Sequence, residues 1–118
     1  MKNIALAVLD GYLTKNPETK QTKTDKTVTT FTIAVNNDWG DGDDKKSVSY
    51  IHIETWSRLA ENCQAYLKKG RHVIVDGRLQ QERWEDERGK PQSKIKIIAQ
   101  NVRFGPRPQS EEEGEKAA

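Results

Sequence analysis

The segment Ser47-Val48-Ser49-Tyr50-Ile51-His52-Ile53-Glu54-Thr55-Trp56 holds the residues whose spacing most limits the chemistry of this chain. Read as a strand, its side chains alternate between two faces. Ile51 and Ile53 share one face, which predicts a core, while Tyr50, His52, Glu54 and Trp56 share the other. An apolar inner face is ordinary, but two large rings among polar groups on the outer face call for a reason. On one strand face Tyr50 and Trp56 would stand about 20 Å apart, enough for two separate stacking platforms. Two more indoles sit in polar surroundings, Trp39 within Asn36-Asn37-Asp38-Trp39-Gly40-Asp41-Gly42 and Trp84 within Gln80-Gln81-Glu82-Arg83-Trp84-Glu85-Asp86-Glu87. Neither neighbourhood can bury an indole by itself. Exposed rings interleaved with Lys and Arg suit a single-stranded nucleic acid, because every base offers a π-face and cations hold the phosphates. The competing assignment makes these rings core or subunit-contact residues and the cations merely solvated.

Other chemistries find less support. His52, His72 and Cys63 show no zinc-ligand spacing, nucleophile elbow or phosphate loop, so neither an enzyme nor a cofactor is expected. Asp38, Asp41, Asp43 and Asp44 suggest a calcium loop, but no register supplies both the glycine and the glutamate that an EF-hand requires. A solvated loop accounts for them.

The elements that must carry these residues are mostly strands. Ile4 to Leu9 is a short apolar run ending at Asp10-Gly11, and residues 14–26 form polar turn or hairpin material. Phe31, Ile33 and Val35 alternate with Thr30, Thr32 and Ala34. After the Asp- and Gly-rich loop comes the strand from Ser47 to Trp56. One helix follows, with Ser57 as the expected N-cap, Leu59, Cys63, Tyr66 and Leu67 at helical spacing, Lys68-Lys69 near its end and Gly70 as the stop. Then come His72 to Leu79, a polar continuation to Asp86, a turn at Arg88-Gly89-Lys90-Pro91, and a last strand from Ser93 to Phe104. In that strand Ile95, Ile97 and Ala99 are expected inside, alternating with Lys94, Lys96 and Ile98. The order predicts an all-β fold: a five-stranded OB-fold Greek-key barrel with one helix between its third and fourth strands.

Bulk properties agree with one small domain. The chain has 118 residues, 33% hydrophobic and 32% charged, and a formal net charge of +2. Residues 109–118 contain four Glu and one Lys, which leaves 19 basic and 14 acidic residues, or +5, in residues 1–108. A basic body with an acidic tail suits a polyanion. The single cysteine predicts a reducing compartment. The apolar start is too short for a signal peptide and no stretch is long enough for a membrane helix, so a cytoplasmic, nucleoid-associated protein is expected. Residues 1–104 are expected to form the domain, and 105–118 a disordered acidic tail.

Several motifs are specific in combination. Gly11-Tyr12-Leu13-Thr14-Lys15-Asn16-Pro17-Glu18 resembles the Gly-x-Leu-x-x-Asp-Pro-Glu turn of the bacterial single-stranded DNA-binding proteins, with Asn16 in place of Asp. Phe31-Thr32-Ile33-Ala34-Val35-Asn36 resembles their second strand, and Trp56-Ser57-Arg58-Leu59-Ala60-Glu61 the start of their helix. Tyr66-Leu67-Lys68-Lys69-Gly70 with Val73-x-Val75-x-Gly77-x-Leu79 is similar to their helix exit and fourth strand. The resemblance spans about residues 3–104.

That resemblance implies that Trp39, Tyr50, Trp56 and Trp84 stack bases and that Lys20, Arg58, Lys69 and Arg83 contact phosphates. It also implies a homotetramer acting in DNA replication, recombination and repair. Departures stand out. Tyr50 replaces a frequent Trp, Ile51 occupies a position where a His often joins subunit contacts, and Gln80 and Glu82 take positions that are often basic. The end, Gly114-Glu115-Lys116-Ala117-Ala118, lacks the acidic tip with Pro-Phe that docks partner proteins, so no docking tip is expected. The alternatives are an OB-fold primosomal accessory module with weak nucleic-acid binding, and an RNA binder, since 2′-hydroxyl contacts cannot be read from sequence.

Overall fold

A computed structural model describes residues 3–37 and 47–105. The described residues form strands β1 (Leu6–Leu13), β2 (Glu18–Gln21), β3 (Thr27–Asn36), β4 (Val48–Trp56), β5 (His72–Glu85) and β6 (Pro91–Phe104). The one helix among the described residues, α1 (Ser57–Tyr66), lies between β4 and β5. The sheet runs β1-β5-β6-β4-β3-β2, and a further β1–β3 pairing closes five of these strands into a ring. This is the expected OB barrel, with β2 as an added ribbon on the outer edge of β3. All pairings are antiparallel except β4 with β6, which is parallel and covers only His52–Glu54 against Lys96–Ile98.

The core follows the alternation. Leu13, Phe31, Ile33, Ile53, Val73, Val75 and Ile97 are buried, with Cys63 and Leu67 of the helix segment against them. Two buried threonines fasten the helix. Thr29 Oγ1 donates to the Ala60 carbonyl at 2.8 Å and accepts from Thr19 Oγ1, also at 2.8 Å. Thr55 Oγ1 donates to the Thr29 carbonyl at 2.8 Å. Burial raises the Cys63 thiol from its ordinary value of 9.0 to about 11, a hydrogen bond with Thr55 opposing the rise.

Five details differ from the sequence reading. β1 does not stop at Asp10 but runs to Leu13: it stays paired with β5 through Tyr12, and Gly11 lets β3 come close enough to pair with Tyr12 and Leu13 as well. A side chain at Gly11 would strike the Ala34 carbonyl. The polar segment 14–26 contains a strand, β2, whose Thr19 is anchored by the Thr29 hydroxyl. Ser57 is not the N-cap: it takes a left-handed conformation (φ 58°) that turns β4 into α1, and no side chain caps the helix. Gly70 does not end the helix either; Leu67 does so in an extended conformation, and Gly70 (φ 88°) serves the following turn. Ile95 is exposed rather than internal, because β5 and β6 continue past the barrel as a two-stranded arm that no other described residue covers there. The arm ends in a turn where Asp86 Oδ1 accepts from the Arg88 and Lys90 amides, and Gly89 adopts φ 78°.

Candidate nucleic-acid interface

Residues paired across a sheet point to the same side. The register therefore sets Lys20, Val28 and Trp56 in one row across β2, β3 and β4. The next row is Glu18, Thr30 and Glu54, followed by Thr32, His52 and Lys96. Tyr50 pairs with Ala34, and Ala34 with Tyr12. These rows make one continuous outward face. A groove on it is lined by the Thr14–Asn16 turn, Thr30, Thr32, Tyr50, His52 and Glu54, and by Glu82, Lys94 and Lys96 from the arm side.

The three described stacking candidates are all accessible. Tyr50 is 64% exposed, Trp84 45% and Trp56 36%, so none is a core residue of the single chain. The Trp56 indole N–H donates to Glu54 Oε2 at 3.0 Å, which fixes the ring at the strand end. Trp84 stands on the arm with the Lys94 ammonium 6.0 Å from its ring centre. Trp39 lies outside the described residues, as do Asp38, Asp41, Asp43, Asp44 and the acidic tail.

The predicted phosphate residues are dispersed around this face rather than gathered in the groove. Lys20 shares the row of Trp56. Arg58 is exposed in the first turn of α1. Lys69 is exposed beyond the helix, and its amide donates to Asn16 Oδ1 at 2.9 Å, so Asn16 ties the 14–18 turn to the helix exit. Arg83 alternates to the opposite side of the arm from Trp84 and donates to Gln81 Oε1 at 3.0 Å. The groove holds instead Lys15, Lys94 and Lys96, which the sequence reading did not single out. Their signal was the alternation of Lys94 and Lys96 with Ile97 and Ala99, which places them on the face of Tyr50. Tyr12, half exposed and tilted against His72 at 5.1 Å, is a further outward ring that was missed. His52 Nδ1 lies 3.0 Å from Thr32 Oγ1. Among the described residues no three His, Cys, Asp or Glu side chains converge on a metal site.

A five-stranded closed sheet with this aromatic outer face can be compared directly with known proteins. The model of the single-strand binding protein family matches residues 4–105. This chain belongs to that family. Among curated relatives, the single-stranded DNA-binding protein of Caldanaerobacter subterraneus subsp. tengcongensis is 40% identical over 97 residues, covering 82% of this chain and 65% of its own. Single-stranded DNA-binding protein A of Bacillus subtilis is 39% identical over 97 residues, covering 82% and 56%. The chain therefore spans less than two thirds of these family members' lengths. A solved structure described as the Plasmodium falciparum SSB complex with ssDNA superposes with a TM-score of 0.80 at 24% identity, covering 90% of this chain and 98% of that one. It shares the family fold.

Proposed function

We propose that this chain binds single-stranded DNA without sequence preference and without catalysis, protecting it during replication, recombination and repair in the cytoplasm. Residues 1–104 form the binding unit. Bases stack on Tyr50, Trp56, Trp84 and Trp39, while Lys20, Arg58, Lys69 and Arg83 contact phosphates along the strand's path. The observation that carries this reading is the outward face that exposes Tyr50, Trp56 and Trp84, with Lys20 in the row of Trp56, Lys94 beside Trp84, and Lys96 lining the same groove as Tyr50. A groove of that kind reads base planes and backbone charge, which every sequence shares. Family membership and the names of the relatives support the same ligand.

The protein works as a homotetramer. Leu6 and Val8 of β1 are exposed on the same side as Ile74 of β5, and beyond Gly11 toward the N-terminus β1 has a free edge among the described residues.

The test is a titration with oligo(dT) followed by tryptophan emission at several salt concentrations. Stacking quenches emission, and the affinity falls as salt rises. Unchanged emission together with equal binding of duplex DNA would overturn the assignment.

A further inference from the structure

A groove for a polyanion should carry an excess of cations. This one is lined by Lys15, Lys94 and Lys96 but also by Glu18, Glu54 and Glu82. The opposite charges are joined. Lys96 Nζ lies 3.0 Å from Glu54 Oε1 and 3.9 Å from Glu82 Oε1, and Lys94 Nζ lies 3.4 Å from Glu82 Oε2. The Lys96 and Glu54 side chains are only 17% and 16% exposed, so salt screens this pair less than one on the open surface. The second oxygen of Glu54 accepts the Trp56 indole N–H. One carboxylate thus occupies the least exposed of the groove lysines and orients the Trp56 ring.

We propose that Glu54 is an internal competitor for phosphate: a bound strand must take Lys96 from it, and Glu54 thereby sets both the affinity and the salt dependence of single-strand binding. This rests on the assignment above of single-stranded DNA as ligand. A lysine that neutralises a phosphate releases the counterion held there, and each such contact steepens the dependence of log K on log salt by about 0.7 for single strands. While Lys96 stays balanced by Glu54, the pair brings no net charge to the backbone and releases little. When phosphate displaces the carboxylate, Glu54 is left to gather a cation from solution, which cancels part of the release. The groove consequently holds its strand less tightly, and less steeply in salt, than its lysines alone would.

Glu54→Gln tests this cleanly, since Gln keeps the shape of the side chain and an oxygen for the indole while removing the charge. Oligo(dT) titrations between about 50 and about 200 mM salt should show a steeper slope, by up to about 0.7. Affinity at the lower salt should rise roughly three- to tenfold, the scale of one partly exposed ion pair. Adding Lys96→Met to Glu54→Gln should remove both gains. Glu82→Gln, on the open arm, should give a smaller change of the same sign, and it decides the matter if Glu54→Gln does not fold. Unchanged affinity and slope in the variants, with normal quenching by the unmodified protein, would make the Glu54–Lys96 pair purely structural and overturn the proposal alone. Weaker binding by Glu54→Gln would overturn it too, by making the carboxylate a direct aid to binding. No quenching by the unmodified protein would instead remove the assignment of the ligand itself.

Discussion

At the residue scale, strand alternation was enough to find Tyr50, His52, Glu54 and Trp56 on one face, because that inference needs no partner strand. The ion pairs of Lys94 and Lys96 were not legible. They depend on the β4–β6 and β5–β6 registers, which bring residues from distant parts of the chain side by side. The two indoles among the described residues, both accessible, should behave alike. Trp56→Ala and Trp84→Ala should each weaken oligo(dT) binding by about 1–3 kcal/mol while leaving the far-ultraviolet circular dichroism unchanged. Normal binding by either variant would remove that ring from the site. Cys63 makes a separate prediction. Burial raises the thiol to about 11 when folded, against 9.0 ordinarily. A raised pKa for an acid means that the neutral form favours the folded state, so this contribution is complete below pH 9.0 and is lost as pH rises toward about 11. Denaturation midpoints across that range should fall more steeply for the natural chain than for Cys63→Ala, and a thiol reagent at neutral pH should react only after unfolding.

At the element scale, the sequence carried the types and order of the main strands and helix, and lost their ends. Gly11 reads as a turn signal, yet here it lies within a strand paired with β5 and leaves room for the β3 backbone to approach. Residues 14–26 lack an apolar face, so nothing local marks β2; its place comes from Thr19 meeting Thr29. Ile95 fits the alternation but lies where the arm has left the core. The helix illustrates how a polar atom can do a core residue's work. It has no side-chain cap and buries only Ala60 and Cys63, so the Thr29 hydroxyl on the Ala60 carbonyl is its main polar tie to the barrel. Thr29→Val keeps the volume and deletes this tie together with the Thr19 hydrogen bond, and should lower unfolding stability by about 1–3 kcal/mol in a urea titration. A loss within experimental error would show that apolar packing alone seats the helix.

At the scale of the whole molecule, the barrel surrounds one modest core, while much of its apolar surface stays outside. Leu6, Val8 and Ile74 are exposed together, and so are Leu79 and Ile95 on one side of the arm. Single exposed leucines are ordinary, but neighbouring ones on β1 and β5 suit burial by other copies of the chain. Light scattering at micromolar concentration should give four times the 13.5 kDa chain mass. A value equal to one chain would refute the tetramer. Ile51, partly buried against the core, faces away from the Tyr50 side, which leaves the outward rings free of it.

The short parallel seam between β4 and β6 has a consequence for how the chain reaches this structure. The β3–β4 and β5–β6 ladders join strands that are neighbours in the sequence, and each can form within its own stretch of chain. The seam must bring residues 52–54 to residues 96–98, across the helix and the whole arm, and it rewards that closure with only a few rungs. Loop-closure entropy is spent there before the core can shut. Amides of the two ladders should thus acquire protection from hydrogen exchange before those of His52–Glu54 and Lys96–Ile98 in pulse-labelled refolding. Simultaneous protection would mean that the core condenses first and draws the seam in with it.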